Sequence, residues 1–493
     1  MNKKRLNIPS VIIEHIISTI TMFIVYRLVI TALGISALGL WSILISIFSL
    51  TSIGTSGFAS SAVKFVSKYV SKGDNNKLKQ VIETTFVVVL VFSLLLLLFI
   101  SLTSYIFRNI FFDYEEFLVL TQIFPYTLLA FIFGFSSSVY MSSLDGLKLF
   151  YIRSIIGISS KIVFLIVTII LINELGLKGL AIALMCQNLV ILFLSSIIIK
   201  NKIKGLKILF GKFNKTIFKE IFKYGYQFQI TSIFMMLMDP LTKLLLKATT
   251  GGLVSVGYFE IVYKLLFHAR QIIVVATNTV VPSVSAIQEN KVNNTKQLFI
   301  KVNNISFVFS ILILTTAYLL FPVLLKIVGV QINAEINSFV PLIYLGLLFN
   351  LFSLTSFSFN LGIGNLKINM YSMGLMAFLN LSLSLILSNF LSDYGVVIGW
   401  ALSQSIAGVY LIFLFSKKEN LIMSEIINKK DIILTVSILL LLLSNYTLNY
   451  TYELSYVYST FYNILFALIL MTYPIIINSK FKYTLNYMTK TKS

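Results

Sequence analysis

Two trios of ionisable residues recur at one spacing. Asp239, Lys243 and Lys247 stand four residues apart, as do Glu260, Lys264 and His268, and Arg270 follows the second trio. On a helix, residues at i, i+4 and i+8 share one stripe, so each trio sets an acid and a cation along one face. Both trios lie in mainly apolar stretches, as Arg27 does upstream. A charge at the centre of a bilayer helix costs about 2.5–3.5 kcal/mol on insertion scales, and such residues mark ligand or ion pathways by default. Once Asp239 offsets Lys243 and Glu260 offsets Lys264, Lys247, Arg270 and Arg27 remain, so a cavity lined by these stripes is net positive and suits an anion. Arg27, Lys243, Lys247, Lys264 and Arg270 are therefore the candidate binding residues; Asp239, Glu260 and His268 are the candidates for ion or proton coupling. Plainer readings stand beside these. The acid–lysine pairs can simply neutralise one another, Arg27 and Lys247 can snorkel to the outer surface, and His268 can be an ordinary satisfied polar residue. Asp239 precedes Pro240, whose missing amide predicts a kink. Glu14 and His15 lie toward the inner end of the first span with no role assigned.

The elements that must position these residues are membrane spans. Hydrophobic residues make up 57% of the 493-residue chain, charged residues 12%, and mean hydropathy is +0.92; soluble domains run about 45–50% apolar and about 25% charged. Apolar runs near twenty residues match a hydrocarbon core of about 30 Å. They predict an all-α polytopic membrane protein with about fourteen spans, at 9–31, 37–60, 81–103, 117–140, 151–173, 177–199, 224–248, 254–282, 303–325, 338–361, 368–390, 394–416, 431–448 and 459–477. The basic start "MNKKRLNIPS" leads into the first span rather than a cleavable signal.

The net charge of +21 raises the possibility of nucleic acid, but the distribution excludes it. Thirty of the 39 basic residues fall in connections on one side of the predicted spans, and the opposite connections hold only Arg108, Lys178 and Lys326. This is the positive-inside bias; it puts both termini in the cytoplasm, with anionic lipid as a further partner for the basic face. The longest connection, 201–223, is basic and cytoplasmic. The single cysteine, Cys186, excludes a disulfide framework and a thiolate metal site. There is no phosphate-binding loop, zinc spacing or catalytic triad, so no cofactor is expected, and the short outer connections leave no room for the catalytic groups of a membrane-bound polymerase or ligase.

The chain also repeats itself. "GISALGLW" at 34–41 and "GLVSVGYF" at 252–259 share glycines five apart, at an offset of 218. Asn75-Asn76 and Asn293-Asn294 keep that offset; Leu147-Lys148 with Leu366-Lys367, and Gly176 with Gly395, match at 219. Span 1 then maps to span 7 and span 6 to span 12, so the copies share one orientation, as in parallel-repeat transporters. This divides the chain into an N-terminal six-helix lobe (1–200), a basic cytoplasmic linker (201–223), a C-terminal six-helix lobe (224–416), and an appended helix pair with a basic tail (417–493).

Three stretches resemble Wzx-type polysaccharide flippases: "RLVITALGISALGLWSILISIFSLTSIGTSGFASSAVKFVSKYV", "FKYGYQFQITSIFMMLMDPLTKLLLKATTGGLVSVGYFEIVYKLL" and "GNLKINMY…SDYGVVIGWALSQS". The resemblance covers about residues 10–416 and rests on diffuse, mainly structural motifs. It implies the superfamily of multidrug extruders, lipid II flippases and polysaccharide exporters, with two pseudo-symmetric six-helix lobes around a cleft and alternating access. It further implies a bacterial cytoplasmic-membrane protein that moves undecaprenyl-diphosphate-linked oligosaccharides for O-antigen, capsule or a related surface polymer, beside polysaccharide polymerase and assembly proteins. The alternative within the superfamily is a cation-coupled multidrug extruder. That branch often carries an acidic site and a proline in span 1; here there is Glu14 but no interior proline.

Overall fold

The computed structural model describes residues 3–50, 53–111, 113–203, 205–207, 211–278, 280–281, 284, 295–331, 333–422, 426 and 435. Among these are fourteen helices: α1 (Lys3–Leu33), α2 (Ile35–Ser49), α3 (Ile53–Ser71), α4 (Asn75–Phe111), α5 (Tyr114–Gly146), α6 (Phe150–Leu175), α7 (Leu177–Lys202), α8 (Lys215–Lys247), α9 (Gly252–Asn278), α10 (Thr295–Leu319), α11 (Phe321–Val328), α12 (Ala334–Phe352), α13 (Leu354–Ile363) and α14 (Leu366–Lys418). Eight stretches are long and apolar enough to cross a membrane; α8 and α9, which carry the charged stripes, are not among them. The spans expected at 431–448 and 459–477 lie outside the described residues, apart from Thr435.

Helix boundaries follow local chemistry. Asp113 opens α5 with a capping box in which its backbone N–H donates to Glu116 Oε2 at 3.0 Å, satisfying donors the first turn leaves free. The Asn214 side chain caps α8, accepting from the N–H groups of Thr216 and Ile217. Two predicted spans are interrupted. The second is divided between α2 and α3, and the tenth breaks at Ser353, between α12 and α13. α14 covers both the eleventh and twelfth spans and turns at Ser392, whose φ is 51°.

The chain forms two compact units, 1–258 and 259–493. In the first, α5 packs on α7, α7 on α6, α6 on α1, and α3 on α4, α5 and α8. Phe65, Val66, Ile82, Phe86, Val139 and Tyr140 lie in its core, with the Phe86 and Tyr140 rings stacked 5.3 Å apart. In the second, α12 packs on α14 and α10, and Phe299 meets Phe359 and Phe415 at 5.1 and 4.7 Å. Other faces bear large apolar side chains in the open, such as Ile13, Ile16 and Ile20 on α1 and Ile155, Ile162, Ile166 and Ile170 on α6. Helical spacing of exposed apolar groups over such lengths fits a lipid-facing surface.

Local geometry repeats along the chain and corrects the expected register. Gly34 and Gly252, both at positive φ, keep the offset of 218. A Cβ on Gly39 would collide with the Leu253 carbonyl, and one on Gly257 with the Ile35 carbonyl. These residues also differ by 218, so α2 and the start of α9 pack through a reciprocal contact inside the first unit. Further on the offset is 216, not 219. Gly146 sits against Val66 and the Val63 carbonyl, as Gly362 sits against Val284 and the Val281 carbonyl. Gly176 (φ 56°, ψ −135°) corresponds to Ser392 (φ 51°, ψ −126°), and Gly179, against the Leu171 carbonyl, to Gly395, against that of Leu387. Lys148 (φ 60°) likewise corresponds to Gly364 (φ 83°). Matching letters misaligned these turns by three residues because the same backbone turn carries glycine in one copy and Ser or Lys in the other. Asn293-Asn294 lie outside the described residues.

Candidate functional site

In the first unit, α8 carries the first trio and runs through Pro240 as one helix. Lys243 is 1% exposed. Its Nζ donates to Asp239 Oδ2 at 2.9 Å and to the Ser42 carbonyl of α2 at 3.3 Å. The Asp239 side chain is 28% exposed, so the pair has a buried base and a more open acid. One turn on, Lys247 meets Glu116 Oε2 of α5 at 2.5 Å, both side chains being largely buried. Glu116 therefore does two jobs, closing the capping box and neutralising Lys247. The spacing Asp113-to-Glu116 was the sequence signal for it, but that signal speaks only of a helix start. Arg27 stands on the exposed side of α1.

In the second unit, Glu260 is 3% exposed and lies 3.9 Å from Lys264. The Lys264 ammonium sits 5.6 Å from the Tyr263 ring centroid and 5.8 Å from that of Phe267. Trp400 stands edge-on to both Phe259 and Tyr263, each at 5.7 Å. Arg270 Nη2 donates to Asn350 Oδ1 at 2.8 Å, its guanidinium carbon lies 5.8 Å from the Phe267 centroid, and its Nε is buried without a partner. No carboxylate among the described residues lies within ion-pair distance of it. Rings beneath a cation stabilise it by about 0.5–2 kcal/mol, depending on desolvation, but leave its charge uncancelled. The His268 ring lies 6.3 Å from that of Phe267. Asn350, eighty residues from Arg270, had no sequence signal.

Glu14 also gains a setting. Arg153 lies between Glu14 (3.6 Å) and Asp145 (3.4 Å), and Gly157 leaves room for the Glu14 carboxylate, which a Cβ there would strike. Where α1 meets α2, α6 meets α7, and α5 and α9 begin, a cavity of about 450 Å³ in the first unit is lined by Ser36, Glu115, Glu116, Gln122 and Lys178 among apolar groups. No cluster that could hold a metal occurs among the described residues.

The structure thus provides apolar helices of bilayer length, buried cations, and aromatic rings beside them. A family model described as "Polysaccharide biosynthesis protein" matches residues 6–288, more than half of the chain. The chain belongs to the polysaccharide biosynthesis protein family. A search of curated proteins gives no match. The fold is similar to an inward-facing multidrug resistance MATE family transporter of the MOP superfamily, with TM-score 0.70 and 14% identity over 81% of this chain and 94% of that one. It is also similar to the lipid II flippase MurJ in an inward closed conformation, with TM-score 0.67 and 18% identity over 94% of this chain and 97% of that one. A MOP superfamily transporter from Pyrococcus furiosus gives TM-score 0.64 at 14% identity over 84% and 95%. This polysaccharide biosynthesis family member is accordingly an all-helical, multi-pass membrane protein whose fold is similar to those of the MATE transporter and the lipid II flippase.

Proposed function

We propose that the protein translocates undecaprenyl-diphosphate-linked oligosaccharide units, for O-antigen, capsule or a related surface polymer, across the bacterial cytoplasmic membrane. One observation carries this reading. Arg270 is a guanidinium held by an amide and an aromatic ring and paired with no carboxylate among the described residues, so its charge remains available to an anionic group. A diphosphate joined to sugars asks for fixed cations and aromatic surfaces, and Tyr263, Phe267 and Trp400 supply the surfaces. In this reading Lys264 and Arg270 bind the diphosphate, while Arg27, Lys243 and Lys247 line its path. Asp239, Glu260 and His268 are the groups that couple an ion or proton. Two pseudo-symmetric six-span lobes, 1–200 and 224–416, joined by the 201–223 linker, alternate access to the path, and both termini are cytoplasmic.

Deleting the gene in its host, where no redundant flippase exists, is expected to abolish the surface polymer and to accumulate lipid-linked units on the cytoplasmic side. Unchanged polymer with no accumulation rejects the proposal. The likeness to multidrug transporters supports a second reading, cation-coupled drug export. Loss of dye efflux in Asp239→Asn with polymer export intact would favour it. The ion pairing of Asp239 and Glu260 with lysines weighs against it, because a cationic drug needs a carboxylate to spare.

A further inference from the structure

The basic linker is held in place by a buried acid. Glu83 of α4 is 8% exposed; its Oε1 accepts the backbone N–H of Lys207 at 3.0 Å and its Oε2 that of Lys212 at 3.1 Å. Gly211 fits against the Glu83 side chain where a Cβ would collide. Asn214 then fastens the end of the strap to α4, its N–H donating to Thr84 Oγ1 at 3.1 Å and its Nδ2 to Gln80 Oε1 at 3.2 Å. An acid buried to hold two backbone amides is a costly choice for an idle connection, and it orders what the strap displays.

The display is amphipathic. Ile217 and Ile221 turn into the core of the first unit. Facing away are Phe213 and Phe222, 52% and 51% exposed, joined through Phe218 in a ladder of rings 5.6 and 5.8 Å apart. Lys212, Lys215 and Lys219 are exposed around them. The single acid of this stretch, Glu220, is engaged by the Tyr69 hydroxyl at 3.4 Å. The sequence predicts the seventh span to start at residue 224, so at about 1.5 Å per residue Phe222 lies roughly 3 Å outside it, within the headgroup layer, and Phe218 roughly 9 Å outside it, at that layer's outer edge. Aromatic rings among lysines at that depth are the composition of an interfacial surface.

We propose that the strap and the first turns of α8 form a docking strip for anionic phospholipid headgroups of the cytoplasmic leaflet. Phe213 and Phe222 enter the interface, Lys212, Lys215 and Lys219 meet the phosphates, and Glu83 acts as a positioning residue. The near absence of acids on the strip, and its level at the edge of a span, favour lipid over a soluble protein. The strip does not depend on what the protein transports.

The test uses the full chain in vesicles with Phe213→Trp as a reporter, read as the difference from the parent, whose Trp41 and Trp400 are buried. Brominated phosphatidylglycerol is expected to quench the introduced indole at least twofold more than brominated phosphatidylcholine. Changing Lys212, Lys215 and Lys219 together to Gln, all on the surface, should remove that preference. Glu83→Ala should weaken it while the lysines remain. Equal quenching by the two lipids overturns the proposal. So does an indole that neither lipid quenches but that shifts on adding cytosolic protein, which makes the strip a protein-docking surface.

Discussion

Lys243 and Arg270 keep a cation inside an apolar protein in different ways, and the difference decides what each substitution should do. Lys243 is fixed by Asp239 and a backbone carbonyl, so Lys243→Met strands a partly buried acid. A fully buried broken pair costs about 3–5 kcal/mol; Asp239 keeps some solvent, and the expected loss is nearer about 2 kcal/mol. Adding Asp239→Asn should recover most of the thermal stability measured in detergent. Arg270 has no acid to strand. Arg270→Lys loses the planar contact with Phe267 and the directed bond to Asn350, and should lower translocation in proteoliposomes about tenfold with little change in melting temperature. Lys161 stands on α6, outside both trios, and Lys161→Ala should by contrast leave transport near normal; equal, near-normal rates for Lys243→Ala, Arg270→Ala and Lys161→Ala would discard the assigned binding role. The pairs Asp239–Lys243 and Glu260–Lys264 were legible in the sequence because helix geometry alone brings i and i+4 together. Glu116 with Lys247 and Asn350 with Arg270 were not, since each joins two helices far apart in the chain and no local spacing encodes which faces meet.

At the scale of elements, turns and close helix contacts repeat where side chains do not. Gly176 and Ser392 share one left-handed turn, but only glycine adopts it without a Cβ penalty. Ser392→Gly should therefore stabilise the protein by up to about 1 kcal/mol, visible as a raised melting temperature, whereas Gly176→Ala should lower it. Gly395→Leu forces a side chain into the Leu387 backbone and is expected to destabilise by about 1–3 kcal/mol; a neutral result would mean that the helices can part there without loss. The sequence made the helices and most of their ends readable, since apolar length and capping residues such as Asp113 are local. It did not place the breaks between α2 and α3 and at Ser353, because the small polar residues there, such as Ser49, Thr51, Ser353 and Thr355, are also tolerated inside a span and composition does not record the path of the backbone.

At the scale of the whole molecule, the charge asymmetry makes its own prediction. Fluorescent-protein fusions at either end should fluoresce, and alkaline phosphatase fusions there should be inactive, if both termini face the cytoplasm; an active phosphatase at one end would require an odd number of spans. The fold is legible at this scale through apolar length and the repeated glycines of this chain, and it is similar to solved structures that are only 14–18% identical. The sugar of the proposed substrate leaves no comparable mark, since hydroxyl recognition needs only a few interchangeable polar groups. The contact of Gly39 with Leu253 and of Gly257 with Ile35 reaches further than packing. Each copy presents the same patch, serving at once as ridge and as groove, which is the geometry of an isologous interface. Two separate chains, each one copy long, could pair through that patch just as the two copies do here, so the covalent join is not what makes this contact complementary.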